Sequence, residues 1–293
     1  MNSNPRTKAF ILLGLLALIW GTSFILIKQG LKAFDADEVG ALRVAFASLF
    51  LLPVGLTHLK ELKRDDYEKL FASGMMGIFI PSFLFALAQT RMPSSMASVL
   101  NTLTPIFTML IGAILFRQQF KLLTIVGIIL GFAGTVLLSL SRSGATITGF
   151  NAFALLIVLA CFFYGSNLNL IKFKILDVRS ITITSVSLMM IGPLAFIYLL
   201  GFTDVVHKLT TVDGAWRSFG FIAVLGLMST AVATILFNQL VKISTPMFAS
   251  SVTYLIPIVG VMWGMFDGEQ LQGGHFIGMA AIVGGVYLAN RKK

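Results

Sequence analysis

Residues 20–28 read Trp-Gly-Thr-Ser-Phe-Ile-Leu-Ile-Lys, and residues 164–172 read Tyr-Gly-Ser-Asn-Leu-Asn-Leu-Ile-Lys. An aromatic ring, a glycine, a hydroxyl and a closing Leu-Ile-Lys recur in the same order. Two further matches fall in nearly the same register. Residues 97–105, Ala-Ser-Val-Leu-Asn-Thr-Leu-Thr-Pro, pair with 249–257, Ala-Ser-Ser-Val-Thr-Tyr-Leu-Ile-Pro, and Gly127 and Gly134 pair with Gly278 and Gly285. Each match alone is weak, because membrane helices draw on a small alphabet. Together they mark a duplication: residues 1–140 form one copy, 150–293 the other, and 141–149 connect them.

Around these matches lie ten apolar stretches, each near the roughly 20 residues that cross a bilayer. They are Ala9–Gln29, Val39–Thr57, Leu70–Gln89, Ser94–Phe116, Leu122–Leu140, Phe150–Ile171, Ile181–Phe202, Ser218–Val241, Pro246–Phe266 and Gly273–Asn290. Hydrophobic residues make up 57% of the 293, and charged ones only 12%. A soluble domain has about 45–50% and 25%. The expected fold is therefore an all-α integral membrane protein. Five crossings per copy turn the second copy upside down, which gives two inverted five-helix repeats around a central cavity.

The net charge is +10, and its placement matters more than its size. With the N-terminus in the cytoplasm, Arg6, Lys8, Lys60, Lys63, Arg64, Lys69, Arg117, Lys121, Lys172, Lys174, Arg179, Lys242 and Arg291–Lys293 share the cytoplasmic side. Lys28, Lys32, Arg91, Arg142, Lys208 and Arg217 are left outside. The positive-inside rule then sets both termini in the cytoplasm. These charges orient the chain, and no nucleic-acid partner is expected. The first stretch is too long for a signal-peptide core and is read as a retained helix. Cys161, the lone cysteine, reads as a small apolar filler.

On Trp20–Phe24, Leu42-Arg43, the mid-span Pro105 and Pro257, and the glycine-bearing last span of each half, the chain resembles the EamA-type transporters of the drug/metabolite superfamily. The resemblance covers almost the full length. It implies ten helices, cytoplasmic termini, a cavity between the halves, and passage of small metabolites by alternating access. Such families usually carry a glutamate before the last helix of each half. Glu269 fits, whereas the first half has Gln118.

Polar side chains are costly in hydrocarbon, so those inside spans are the candidate site. Ser94, Ser98, Asn101 and Pro105 fall on one helical face, as do Pro246, Ser250, Thr253 and Pro257. Ser82, Phe85 and Gln89 share a face of the third span, and Thr230, Thr234 and Asn238 one of the eighth. Trp20, with Ser23 a turn away, and Tyr164, with Asn167 beside it, lie midway along their spans. Asn167 and Asn169 are two apart, so both cannot face one cavity. These groups either line a cavity, with Tyr254 and Ser250, or let helices pack closely. Pro105 and Pro257 are expected to kink their helices and free backbone carbonyls, with Gly21 and Gly165 allowing bending. Lys28 and Arg43 are the basic residues inside spans near the outer side, close in sequence to Asp35, Asp37 and Glu38. They either form an ion-pair cluster or attract a substrate anion.

No Asp or Glu lies within a span, so no buried acidic proton relay is expected. No metal, cofactor or catalytic constellation is expected either: there is no His-Glu-x-x-His, no span-borne Asp pair and no phosphate-binding loop. Isolated Ser-Gly pairs lack a placed base, so an intramembrane enzyme is disfavoured. The partners are a small-molecule solute and the bilayer; monomer and homodimer both fit. The lining suits a neutral or zwitterionic solute such as an apolar or aromatic amino acid. A nucleotide-sugar or lipid-carrier transporter would need a more cationic cavity than Lys28 and Arg43 supply.

Overall fold

The structure, a computed structural model, describes residues 5–140, 152–266 and 273–290. The connector 141–149 and Glu269 lie outside the described residues. α1 (Pro5–Gly30) is one unbroken apolar helix. α2 (Ala36–His58) begins where the Glu38 carboxylate accepts the Asp35 N–H at 2.8 Å, and Asp37 and Glu38 suit the positive end of the helix dipole. The third span joins α3 (Arg64–Gly74), a π-helical turn at Met75–Phe79 and α4 (Ile80–Gln89). It reaches back six residues beyond the apolar stretch read from sequence, to Arg64. Pro81 has no N–H to offer the carbonyl of Gly77, and the ladder widens just there.

The fourth span is α5 (Ser94–Asn101) and α6 (Thr104–Phe116), followed by α7 (Leu122–Leu140). The second half repeats the plan. α8 (Ala154–Lys174), α9 (Ser180–Phe202) and the short α10 (Val205–Thr211) precede the eighth span. That span comprises α11 (Ala215–Val224), a π-helical segment at Leu225–Val232 and α12 (Ala233–Ile243). α13 (Pro246–Ser250) and α14 (Val252–Phe266) form the ninth, and α15 (Gly273–Ala289) the tenth. Eight of these helical stretches are long and apolar enough to cross a membrane, and the shorter apolar α7 and α15 complete ten.

The fourth span breaks rather than kinks. Thr102 and Leu103 leave the helix, and Pro105 takes the first turn of α6, where its missing N–H would have been unpaired anyway. The loosened carbonyls are taken up locally. Thr102 Oγ1 donates to Val99 O, and Thr104 Oγ1 donates to Asn101 O at 2.8 Å. Cys161 is more than filler: its thiol reaches Leu100 O at 3.4 Å and Asn101 O at 3.6 Å. The ninth span breaks likewise at Ser251, several residues ahead of Pro257.

The halves meet through two pairs that the duplication relates to each other, α1 with α14 and α8 with α6, and through two pairs of equivalent helices, α2 with α9 and α7 with α15. The last pair is a glycine seam. A Cβ on Gly285 would sit 2.4 Å from the backbone nitrogen of Gly131, and one on Gly127 2.3 Å from that of Ala289. Gly134 approaches Gly278 in the same way. Residue numbers rise along one helix as they fall along the other, so the two helices run antiparallel and the repeats are inverted. Gly21 and Gly165 are also sites of close approach rather than free hinges: their Cβ positions would meet Val259 Cβ at 2.6 Å and Thr108 N at 2.8 Å.

The outside and the inside have exchanged the roles they hold in a soluble protein. Ile114, Leu115, Leu122, Leu200 and Phe202 are exposed, while Thr182, Thr184, Ser185 and Ser187 are buried. At one end of the bundle, Lys208 of α10 binds Asp35 and, at 2.7 Å, Glu38, so the second half clasps the first. At the other end, Lys172 donates to Val241 O and Lys242 O, and Lys242 donates to Ile175 O and Leu176 O. Each lysine caps the carboxyl end of the other's helix, the end whose dipole favours a cation.

Candidate functional site

A cavity of about 90 Å³ lies between the halves, walled by both. α1 contributes Trp20, Ser23, Phe24 and Ile27; α2 contributes Arg43. Gly77, Ile78, Ser82 and Phe85 come from the third span, Asn101 and Thr104 from the broken fourth. The second half adds Tyr164, Asn167, Ser229, Thr230, Thr234, Phe237, Asn238, Ser250, Thr253 and Ile256. One water needs about 10–15 Å³ on this scale, so the space suits a solute of several heavy atoms.

Both π-helical segments open onto this space, with Gly77 and Ile78 from one and Ser229 and Thr230 from the other. A widened turn re-aims its carbonyls and side chains, which is why such turns gather at functional sites. Trp20 Nε1 donates to the carbonyl of Ser229 at 3.0 Å. That bond fixes the indole, whose ring meets Phe237 edge-on at 4.8 Å. Phe85 lies between Phe24 at 5.9 Å and Tyr164 at 6.0 Å. The apolar wall is therefore largely aromatic.

Arg43 is the charged side chain of the described wall; no carboxylate lines it. Its Nε donates to Thr230 Oγ1 at 3.0 Å. Among the described residues, the ion pairs of this chain involve other basic groups. Gly77 makes room for Asn167, since a Cβ there would fall 2.2 Å from Asn167 Nδ2. Asn238 Nδ2 is held by Thr184 Oγ1 at 2.9 Å. Asn167 Oδ1, Asn238 Oδ1 and Ser229 Oγ are buried without a hydrogen-bond partner.

The cavity brings together Trp20, Ser23, Ser82, Phe85, Asn101, Tyr164, Asn167, Thr234, Asn238, Ser250, Thr253 and Arg43 from the residues singled out in sequence. Gln89, Ser98, Tyr254 and Lys28 are placed elsewhere. Gln89 accepts from Ser94 Oγ at 2.9 Å and ties the third span to the fourth. Ser98 is buried in α5 outside the wall. Tyr254 is fully buried and donates to Ile128 O at 3.1 Å, which locks α14 to α7. Lys28 is exposed. Asn169 turns away from the cavity, donating to Thr108 O and accepting from Gln118 Nε2, so only one of the paired asparagines reaches it. Sequence reasoning passed over Phe24, Ile27, Ile78, Phe237 and Ile256, because apolar residues carry no mark of cavity over core or lipid. Gly77 and Ser229 were signalled only by the π-turns.

The sequence profile of the EamA-like transporter family matches residues 7–140 and again 151–291. An uncharacterised transporter of Archaeoglobus fulgidus is 28% identical over 98% of this chain and 100% of its own. A probable amino-acid metabolite efflux pump of Escherichia coli is 27% identical over 96% of this chain and 94% of its own. The Escherichia coli inner membrane transporter YedA is 25% identical over 95% and 89%. A solved crystal structure shares the fold with a TM-score of 0.74 at 18% identity, over 97% of this chain and 96% of that one.

Proposed function

The chain belongs to the EamA-like transporter family, and from that premise we propose that it moves small amino-acid-like solutes across a bacterial cytoplasmic membrane by alternating access. The observation that supports this reading is the cavity itself, set at the junction of two inverted halves and walled by both. Such a site is exposed to either face when the halves rock about it. Both termini lie in the cytoplasm, on the side richer in Lys and Arg. The two broken spans, which carry Asn101, Thr104, Ser250 and Thr253 into the wall, are the moving parts. Aromatic rings interspersed with hydroxyls and amides suit a solute with an apolar body and a few polar groups. A single arginine is poor company for the doubly charged pyrophosphate of a nucleotide-sugar. Because no carboxylate lines the described wall, exchange does not depend on a proton held there.

The test is counterflow into liposomes bearing the purified protein, with amino acids and nucleotide-sugars as alternative loads and with or without a pH gradient. Amino-acid exchange that ignores the gradient is expected. Thr234→Leu, which fills the cavity without removing a structural hydrogen bond, should abolish exchange while the protein remains folded. Exchange of nucleotide-sugars in preference to amino acids would refute the reading.

A further inference from the structure

On the outer surface, along the junction of α6 and α8, a track of phenyl rings ends in charge that no carboxylate answers. Phe107 of α6 meets Phe162 of α8 at 6.1 Å, and Phe116 stacks on Phe173 at 4.9 Å. Phe162 and Leu115 beside them are exposed. From Phe107 to Phe116 the helix climbs ~14 Å, at about 1.5 Å per residue. That is close to half of a hydrocarbon core of about 30 Å. The track therefore runs the depth of one leaflet and finishes at the end of the bundle that bears both termini.

Three cations stand at that finish. Arg117 and Lys121 bound the link from α6 to α7, Lys174 closes α8, and all three are exposed. Gln118 sets the link against α8, its Nε2 donating to Asn169 Oδ1 at 3.0 Å. No carboxylate occurs in 117–121 or 172–174. None of the three cations joins an ion pair among the described residues. The link between α2 and α3, at the same end, is built otherwise. Residues 60–69 hold four basic and four acidic side chains, tied by Lys69–Asp66 at 3.8 Å and Arg179–Glu61 at 4.0 Å. Orienting the chain asks only for cations on this side. It does not ask that they gather, without acids, over a track of rings. Each residue of α8 turns about 100°, so Lys172 and Lys174 flank Phe173 on opposite sides. Lys172 is engaged by the carbonyls of Val241 and Lys242, which leaves Lys174 free. Arg117 is the one non-glycine residue with positive φ among the described residues, at 52°. Glycine is the usual choice at such a helix end, so the turn does not explain this side chain.

We infer that this face binds an anionic phospholipid. Its phosphate sits between Arg117 and Lys174, within reach of Lys121, and an acyl chain lies along the rings from Phe116 and Phe173 to Phe107 and Phe162. A guanidinium fork matches a phosphodiester, and basic pockets between spans hold anionic headgroups. A zwitterionic lipid brings the same phosphate with a cation that the three basic groups repel. The occupant braces α6, the second piece of the broken fourth span, against α8. This inference goes beyond the transporter reading and does not depend on it.

The full-length protein, purified in detergent and stripped of lipid, decides it. Its thermal unfolding midpoint is followed as dioleoyl phosphatidylglycerol, dioleoyl phosphatidylcholine or inorganic phosphate is added. Phosphatidylglycerol should raise the midpoint by roughly 3 °C or more, and the other two by less than half as much. Arg117→Gly suits the turn, so its lipid-free midpoint should match or exceed that of the unaltered protein. Its rise with phosphatidylglycerol should nevertheless fall by half or more. Lys174→Gln, on an exposed side chain away from the turn, should also diminish the rise, and the two changes together should abolish it. Lys63→Gln removes the same charge from the balanced link between α2 and α3 and should leave the rise whole. The inference fails if phosphatidylcholine or inorganic phosphate matches phosphatidylglycerol, or if the double variant responds like the unaltered protein. It fails equally if Lys63→Gln loses as much of the rise as the double variant does.

Discussion

At the scale of single residues, the site depends on small groups that hold large ones. Gly77 leaves the volume that the Asn167 amide occupies. Gly77→Ala should rotate that amide away, since a side-chain end yields more easily than backbone. Exchange in Gly77→Ala and in Asn167→Leu should fall to a similar level, and the double variant should fall no further, the mark of coupled residues in a double-mutant cycle. Trp20→Phe keeps an aromatic face but strips the donor from the carbonyl of Ser229. A loss of about 1–3 kcal/mol is expected, read as a lower thermal unfolding midpoint in detergent. The asparagines, Arg43 and Trp20 were legible because a polar or mid-span aromatic group stands out against an apolar background. Tyr254 looked the same by that criterion, yet its hydroxyl serves Ile128. Whether such a group faces a cavity or a neighbouring helix is decided by helix rotation, which one sequence does not reveal.

Between whole helices, contact distance is the controlling quantity. Along the α7–α15 seam the backbones touch, so an added methyl meets main chain that cannot swing aside. Gly285→Ala and Gly127→Ala should each cost about 1–3 kcal/mol by overpacking. Gly284 is the internal control, because the nearest atom to its Cβ position is Leu130 Cδ2 at 3.9 Å. Gly284→Ala should be neutral or mildly stabilising, since alanine is the better helix former. Unfolding midpoints of the three variants, compared in one detergent, check the contrast. The spans themselves were readable from length and apolarity, and the seam from its repeated glycines. The π-helical segments were not, because a turn widened by one residue leaves hydrophobic composition unchanged. Pro81 marks the first of them, but Leu225–Val232 contains no proline. Pro105 drew attention to the right span, although the break falls just before it, where a proline can begin a new helix.

Across the whole molecule, the duplication was visible in three weak matches, and the clasp between the halves was not, because it joins residues far apart in the chain. Desolvation works to lower the pKa of Lys208, but its hydrogen bonds to Asp35 and Glu38 and their charges outweigh this and raise it above 10.5. The bound form is the protonated one. Its contribution is fully present below pH 10.5 and disappears as pH rises through the elevated value. The unfolding midpoint should therefore show a clasp-dependent fall only above pH 10.5, and Lys208→Met should lack that fall. An unaltered protein with no such difference from the variant would show that the clasp adds nothing to stability. Cys161 has a consequence of another kind. The chain has one sulfhydryl, and it is sealed between α8 and the break in the fourth span. Maleimide chemistry therefore meets a silent background. A cysteine placed on either rim would be the sole tagged position, ready to report distance or wetting as the halves exchange states. Slow reaction of Cys161 itself would time the moment at which the broken span parts from its neighbour.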